Sequence, residues 1–278
     1  MNRAKIIVLA GQSNAVGVGH TPYLSRHFPE EIIAQFKKGY ENILLNFFSH
    51  DFKSGGFVKT TLGCAEKSKD TFGPEVGIAQ ALCEKYPDEK FYIVKCAFGG
   101  TSLFHDWLPP SCKGDYKKES FALGDEQNEF YRKGGWCYNE LVNTLGDSIR
   151  ILENQGLEPE IIAFCWMQGE SDAISPEHFA DYGERYENML KDLRGTFEKY
   201  FENCVYIDAG ISEVWQYYRE VNTWKEAHAL EAENSFFIDT IEAGLTTSNE
   251  PQPEVDIAHY DSDCTIKLGR LFAEKIVI

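Results

Sequence analysis

Residues 6–14 read Ile6-Ile7-Val8-Leu9-Ala10-Gly11-Gln12-Ser13-Asn14, an apolar run that stops at a glycine and places a serine just beyond it. A continuous run of aliphatic and β-branched residues is typical of a strand buried on both faces of a parallel sheet. Ligands of open α/β sheets bind beyond the carboxyl ends of the strands, where Ser13 would lie. Taken alone, these residues fit better an ordinary strand-to-helix turn with Ser13 or Asn14 as its N-cap.

Apolar and amphipathic runs alternate along the rest of the chain and predict strands and helices in turn. Besides residues 6–10, the predicted strands are residues 43–48, 91–97, 161–167, 205–207 and 236–238. The predicted helices are residues 30–38, 75–86, 141–152, a longest helix over 175–197, residues 223–233 and a closing helix over 266–276. Strands that alternate with helices indicate a parallel sheet covered on both faces. We therefore expect a single domain over residues 1–278.

The charge of the chain limits its partners. The 278 residues include 44 acidic and 27 basic side chains, a formal net charge of −17. This balance argues against a nucleic acid partner, because binding to a phosphate backbone needs clustered Lys and Arg. It also argues against docking on anionic membranes, and no apolar run approaches the length of a membrane span. A neutral carbohydrate fits this charge, and the oligomeric state, including a homo-oligomer, is left open.

Cysteine usage and the N-terminus indicate the class of the protein and its compartment. The eight cysteines are scattered without a C-x-x-C pair, so we expect no zinc or iron–sulfur site and no cofactor. Their even number permits disulfides, which a chain of this length does not need. Residues 1–5 lead directly into the first strand and leave no room for a signal peptide. We therefore expect a cytoplasmic protein, although a trimmed secreted form would have the same sequence.

Four polar clusters follow strands or lie in one exposed loop: residues 11–14, 99–102, 168–172 and 256–259. The carboxyl ends of parallel strands share one edge of a sheet, so the first three clusters would meet there. In the fourth, Asp256 precedes His259 by three residues and can hold one imidazole nitrogen, leaving the other free to act as a base. Each cluster alone has a simpler explanation as a turn, a helix cap or a surface residue. Their coincidence favours a hydrolase with Ser13 as nucleophile, His259 as general base and acid, and Asp256 as the orienting carboxylate.

Further candidate residues complete this hypothesis. A tetrahedral intermediate needs hydrogen-bond donors for its oxyanion, and the Ser13 amide, the Gly100 amide and the Gln168 side chain are candidates. Glu170 is a second carboxylate that could hold His259. Asn14 is a candidate substrate contact. Residues 102–136 form a long irregular segment, typical of a lid or binding loop, in which Trp107 either stacks on a sugar ring or packs within the lid.

Five motifs together resemble the SGNH-hydrolase superfamily, in particular the carbohydrate esterase branch that contains acetylxylan esterases and sialate O-acetylesterases. They are Gly11-Gln12-Ser13-Asn14, Gly73-Pro74-Glu75, Gly99-Gly100-Thr101, Trp166-Met167-Gln168-Gly169-Glu170-Ser171-Asp172 and Asp256-x-x-His259. They occur in that branch's order and span nearly the whole chain. The resemblance carries over Ser13 as nucleophile, Gly100 and Gln168 as oxyanion donors, and Asp256 with His259 as the rest of the triad. Gln168 stands where the superfamily usually has asparagine.

The resemblance also implies a fold and an activity. The implied fold is α/β, a three-layer α/β/α sandwich around a mostly parallel five-stranded sheet of SGNH or flavodoxin-like type. The implied activity is metal-free removal of O-acetyl groups from an acetylated carbohydrate through an acyl-serine intermediate. Two alternatives remain open: another short-chain ester or thioester hydrolase on the same fold, and a non-catalytic carbohydrate-binding protein. The G-x-S-x-G elbow of α/β-hydrolases is not met, because position 15 is alanine.

Overall fold

A mostly parallel sheet forms the centre of the computed structural model, which describes residues 3–50, 52–64, 70–115 and 133–278. The strands within these residues are β1 (Arg3–Gly11), β2 (Gly19–His20), β3 (Ile43–Ser49), β4 (Phe52–Lys53), β5 (Val58–Lys59), β6 (Thr71–Phe72), β7 (Phe91–Ala97), β8 (Glu158–Met167), β9 (Val205–Ala209) and β10 (Ser235–Ile238). Six strands run parallel in the order β10-β9-β8-β1-β7-β3. The short strands β4 and β5 pair antiparallel with β3, and β2 pairs with β6 in a separate ribbon.

Helices connect the strands of the sheet. In the described part of the chain the α-helices are α1 (Ser13–Val16), α2 (Glu30–Lys38), α3 (Glu75–Lys85), α4 (Trp136–Asn154), α5 (Pro176–Phe179), α6 (Tyr182–Thr196), α7 (Tyr218–Glu231) and α8 (Ser262–Glu274). Short 3₁₀ helices cover Thr21–Arg26, Pro110–Asp115 and Glu198–Tyr200. None of the helices described here is long and apolar enough to cross a bilayer.

The sheet is buried on both faces. Residues 6–10 of β1 are all fully buried, and successive side chains of a strand point to opposite faces of the sheet. Both faces are therefore covered by packed elements, and the predicted α/β architecture is confirmed. The apolar runs predicted these strands correctly because a central parallel strand needs an apolar side chain at nearly every position.

Two predictions about individual elements were wrong. The sheet has more than five strands, because six strands run parallel and the two short strands β4 and β5 pair antiparallel with β3. The helix predicted over 175–197 is two helices, α5 and α6, and α4 with 19 residues is longer than either. The break falls at Asp181, whose non-helical backbone (φ −113°, ψ 23°) makes it the N-cap of α6. Aspartate favours that position, but the apolar spacing continues across the break and hides it.

The register of the sheet brings several strand ends to one edge. Gly11, the last residue of β1, pairs with Ala97 of β7 on one side and with Met167 of β8 on the other. Met167 in turn pairs with Ala209 of β9. The turns that follow these four residues therefore leave the sheet side by side, as the sequence predicted for three of them.

The long segment of residues 102–136 is only partly described. Its residues 116–132 lie outside the described residues, so about half of the predicted lid or binding loop falls on them. The preceding part, residues 101–109, is buried against the rest of the fold.

Candidate active site

The turn after β1 begins at a position that only glycine can occupy. Gly11 has φ of +141°, and a Cβ atom built there would lie 1.9 Å from the Met167 carbonyl oxygen. This close approach lets the Gln12 amide donate a hydrogen bond to the same carbonyl at 2.9 Å. Ser13 then opens the four-residue helix α1 and remains half-buried, whereas Gln12 and Asn14 on either side of it are buried.

Gln12 binds the turn that follows β8. Its Oε1 accepts hydrogen bonds from Gln168 Nε2 at 3.2 Å and from the Ser171 amide at 3.1 Å, with the Gly169 amide at 3.4 Å. The first and third polar clusters of the sequence are therefore joined directly.

Asn14 binds the segment that carries His259. Its Oδ1 accepts a hydrogen bond from the Tyr260 amide at 3.1 Å, and its Nδ2 donates to the Ala258 carbonyl at 3.4 Å. The same Nδ2 donates to Glu170 Oε1 at 2.8 Å. Asn14 is only 5% exposed and both ends of its amide are engaged within the protein. This side chain therefore joins three parts of the site to one another, and its contact with a substrate stays a prediction.

Asp256 and His259 are paired as the spacing predicted. His259 Nδ1 lies 2.6 Å from Asp256 Oδ2, and the other carboxylate oxygen accepts from the Ala258 amide at 3.1 Å. A carboxylate only accepts hydrogen bonds, so the ring proton lies on Nδ1 and the Nε2 lone pair is left for a second partner. The His259 side chain is 19% exposed, which leaves the ring accessible from the surface.

Glu170, the second candidate acid, has a different partner. It is fully buried, and its Oε1 accepts a hydrogen bond from Asn14 Nδ2 at 2.8 Å. Burial raises the pKa of the Glu170 carboxyl, while the hydrogen bond from Asn14 and the charges of Lys225 and His259 act in the opposite direction. The geometry therefore pairs the imidazole with Asp256, and Glu170 acts on it only at longer range.

Gln168 joins the second polar cluster to the others. It is fully buried, and its Nε2 donates to Gln12 Oε1, to the Thr101 carbonyl at 3.1 Å and to Asp172 Oδ2. Two amide hydrogens are thus shared among three acceptors of the protein itself. The role of Gln168 as an oxyanion donor stays a prediction, and the structure gives its Nε2 acceptors within the protein.

Gly100 lies at the open side of the same turn. It is exposed and has φ of +69°, a left-handed conformation that glycine adopts without strain. The preceding Gly99 amide donates to His50 Nε2 at 2.9 Å. Gly100 thus remains a candidate oxyanion donor next to the carboxyl end of β7, together with the Ser13 amide at the start of α1.

Trp107 is part of the core. It is fully buried, its Nε1 donates to Thr101 Oγ1 at 2.9 Å, and its ring meets the edge of Trp166 at a centroid distance of 5.0 Å. A ring with no exposed face cannot stack on a sugar, so that hypothesis is corrected. The indole fills the space behind the Gly99–Thr101 turn and supports it.

A buried lysine near the site was missed by sequence reasoning. Lys225 of α7 is fully buried, and its Nζ donates to Asp208 Oδ1 at 2.7 Å and to the carbonyls of Gln168 and Ala209. Burial raises the pKa of Asp208 to about 6, although Lys225 acts against it. The available signal was position: Lys225 lies four residues after the buried Val221, on the inward face of its helix.

The described residues contain no group of three or more His, Cys, Asp or Glu side chains arranged to hold a metal ion. All eight cysteines are free thiols.

Ser13 lies at the carboxyl edge of the parallel sheet, and the carboxylate-bound His259 lies in a segment that is hydrogen-bonded to the neighbouring Asn14. Residues 3–278 match the model of the family described as carbohydrate esterase, sialic acid-specific acetylesterase. The chain belongs to this family and is a carboxylic ester hydrolase, a carbohydrate acetylesterase, as the resemblance implied. No curated protein matches the chain in sequence.

Solved structures confirm the fold. A protein of Arabidopsis thaliana is 20% identical, with a TM-score of 0.65 over 98% of this chain and 97% of its own. NanS is 15% identical, with a TM-score of 0.67 over 99% and 97% of the two chains. XAC1771, a carbohydrate acetylesterase from Xanthomonas citri, is 13% identical, with a TM-score of 0.59 over 98% of this chain and 55% of its own.

Proposed function

We propose that this protein removes O-acetyl groups from sugar hydroxyls through an acyl-enzyme intermediate on Ser13. The observation that carries the proposal is the pair of hydrogen bonds between Asn14 and the residues on both sides of His259, one donated to Ala258 and one accepted from Tyr260. Because Asn14 follows Ser13 directly, these bonds hold the serine and the imidazole in adjoining segments, although the two residues are 246 positions apart in sequence.

In the first half of the reaction, Ser13 Oγ attacks the acetyl carbonyl carbon and its proton moves to His259 Nε2. Asp256 holds Nδ1 and stabilises the imidazolium that forms. The tetrahedral intermediate collapses, the bond to the sugar oxygen breaks, and His259 returns the proton to that oxygen. The deacetylated sugar leaves, and the acetyl group remains on Ser13.

In the second half, a water molecule attacks the acetyl-serine carbonyl while His259 Nε2 takes its proton. The second tetrahedral intermediate expels Ser13 Oγ, which is reprotonated by His259, and acetate is released. The backbone amides of Ser13 and Gly100 are the proposed donors to the oxyanion in both halves. Backbone donors suit this role because they are already fixed by the folded chain.

The sugar specificity is the finer part of the proposal. The family is described as sialic acid-specific, which makes O-acetylated sialic acid the first substrate to test. Acetylated xylan fragments are the second candidate, as the motif resemblance includes both branches. We expect acetyl esters to be preferred over longer acyl chains.

The test compares the wild-type protein with Ser13→Ala on O-acetylated sialic acid, acetylated xylo-oligosaccharides and aryl esters from acetate to octanoate. We expect kcat/KM of the variant to fall about 10⁴-fold or more, since removing the nucleophile of such a triad leaves only residual catalysis. Ser235→Ala is the matched control, because Ser235 is also half-buried but lies at the start of β10, near the amino ends of the parallel strands. Full activity of Ser13→Ala, or a preference for octanoate, would contradict the proposal.

A further inference from the structure

We propose that Asn14 and Glu170 form a clamp that positions His259 for Ser13, so that both are positioning residues of the reaction. The clamp is defined by the hydrogen bonds that the Asn14 amide makes to Glu170, Ala258 and Tyr260. The inference rests on the proposed acyl-serine function and assigns within it a role to two buried residues that bind each other.

The clamp fixes the Asn14 amide in one orientation. The Tyr260 N–H is a donor and must face Oδ1, whereas the Ala258 carbonyl is an acceptor and must face Nδ2. Glu170 Oε1 also faces Nδ2, at 2.8 Å. Three groups from two distant segments therefore require the same orientation of the Asn14 amide. An amide rotated by 180° would lose all three hydrogen bonds.

The hydrogen bonds of the clamp connect the turn that carries Ser13 with the segment of residues 256–260, which carries His259. On its other sides this segment is anchored elsewhere: the Tyr260 hydroxyl donates to Thr240 Oγ1 at 3.1 Å, and the Asp256 amide donates to the Glu250 carbonyl at 3.1 Å. These anchors position the segment against the fold. Within the described residues, the hydrogen bonds of Asn14 are those that join this segment to the turn that carries Ser13.

Glu170 binds the Asn14 amide from the turn after β8. It is fully buried on the turn after β8, which Gln12 binds from the other side of Ser13. The hydrogen bond from Asn14 Nδ2 to the Glu170 carboxylate, at 2.8 Å, is the shortest of the three clamp bonds. A side chain at position 170 that cannot accept this bond would leave Asn14 anchored only by the segment it has to position.

We expect Asn14→Ala to lower kcat about 10²-fold with little change in KM, because a displacement of about 1 Å between reacting groups costs a factor of that size. The pH profile of kcat should keep its shape, since the hydrogen bond between Asp256 and His259 stays intact. A residue that contacts the substrate would instead raise KM.

Variants at position 170 separate the hydrogen bond from the charge. Glu170→Gln keeps an acceptor oxygen of the same reach, so we expect its kcat to stay near that of the wild type. Glu170→Ala should fall as far as Asn14→Ala, and the double variant no further, because residues that act as a unit are not additive. If Glu170→Gln falls as far as Glu170→Ala, charge matters instead and the clamp is overturned.

Asn46→Ala is the matched control for loss of a buried amide. Asn46 is 6% exposed, its Nδ2 donates to Ser148 Oγ at 2.8 Å, and its Oδ1 accepts from Ser54 Oγ at 2.7 Å. It lies on β3, which β7 separates from β1. We expect a similar loss of melting temperature in both variants and loss of kcat in Asn14→Ala alone.

The experiment measures kcat, KM and melting temperature of the full-length variants with an aryl acetate. Equal kcat in Asn14→Ala and Asn46→Ala, with the wild type active, would overturn the clamp and leave the proposed function standing. A wild type without esterase activity, or an active Ser13→Ala, would overturn the proposed function itself.

Discussion

Two fully buried lysines in this fold make almost the same contacts. Lys95 of β7 pairs with Glu75 at 2.7 Å, and Lys225 of α7 pairs with Asp208 at 2.7 Å. Each ammonium also donates to two backbone carbonyls, those of Val16 and Cys64 for the first lysine and those of Gln168 and Ala209 for the second. Buried charges need such partners, because an unpaired ion away from water is strongly unfavourable.

The two pairs differ in the number of carboxylates they contain. Both oxygens of Glu75 are used, one by Lys95 and one by the Gly73 amide at 3.0 Å. Lys225 instead lies within electrostatic reach of both Asp208 and Glu170. Each of these two has one buried oxygen without a hydrogen-bond donor among the described residues.

This difference separates a structural ion pair from a cluster next to the site. The single positive charge of Lys225 interacts with two carboxylates, those of Asp208 and Glu170, and burial raises the pKa of both. Perturbed carboxyl groups of this kind gather at functional sites, because the geometry that catalysis needs is not the one that best neutralises charge. Here the excess carboxylate is Glu170, which binds Asn14.

The largest effect is expected from Lys225→Met. The substitution leaves two buried carboxylates without a cation, and breaking even one buried pair typically destabilises a protein by about 3–5 kcal/mol. We therefore expect Lys225→Met to lower the free energy of unfolding at pH 8 by more than the loss of one such pair would, as measured by urea denaturation. Acidification should restore it by up to about 2.7 kcal/mol per pH unit, the linkage slope for two protons bound only in the folded state. A variant as stable as the wild type at pH 8 would contradict the account.

Lys95→Met is expected to have a smaller effect, because it leaves only Glu75 unpaired. The predicted loss is about 3–5 kcal/mol at pH 8, with recovery on acidification of at most about 1.4 kcal/mol per pH unit for one proton. Asp147→Asn, which removes an exposed ion pair with Arg150, is the control and should change little. If the two lysine variants show the same pH slope, the distinction between the two clusters does not hold.

The smallest effect concerns Asp172, which accepts hydrogen bonds from Gln168 and from the Leu103 and Phe104 amides. Burial raises its pKa from 3.8 to about 6. A raised pKa means that the folded state binds the proton more tightly, so this stabilisation is present below pH 3.8 and is lost as the pH rises through 6. The stability of the wild type relative to Asp172→Asn should therefore fall by roughly 3 kcal/mol over that range. A difference independent of pH would contradict this.

The fold was largely predictable because its signals are local. The apolar runs 91–97 and 161–167 match β7 and the apolar part of β8. They were predictable because a strand buried on both faces has apolar side chains at nearly every position. The Asp256–His259 pair was predictable for the same reason, as its members are three positions apart. The short strands β4 and β5 were not, because their two-residue pairing with β3 depends on the sheet edge rather than on their own sequence.

The functions of single side chains were predicted less well because they depend on distant partners. Asn14 and Trp107 were candidate substrate contacts, yet the first is engaged by residues 156 to 246 positions away and the second is enclosed by the core. Lys95 is a charged residue within the apolar run 91–97, but that run does not indicate that Glu75 is its partner. Such roles are set by tertiary contacts that neither composition nor spacing encodes.

The central claim is that Ser13 is a nucleophile activated by His259, and covalent labelling tests it most directly. Intact-mass and peptide analysis after reaction with a phosphonate ester probe should find one adduct, on the peptide that contains Ser13. The labelling rate should fall steeply in His259→Ala and remain unchanged in Ser235→Ala. An adduct on another residue, or labelling of Ser13 at an equal rate without His259, would contradict the account.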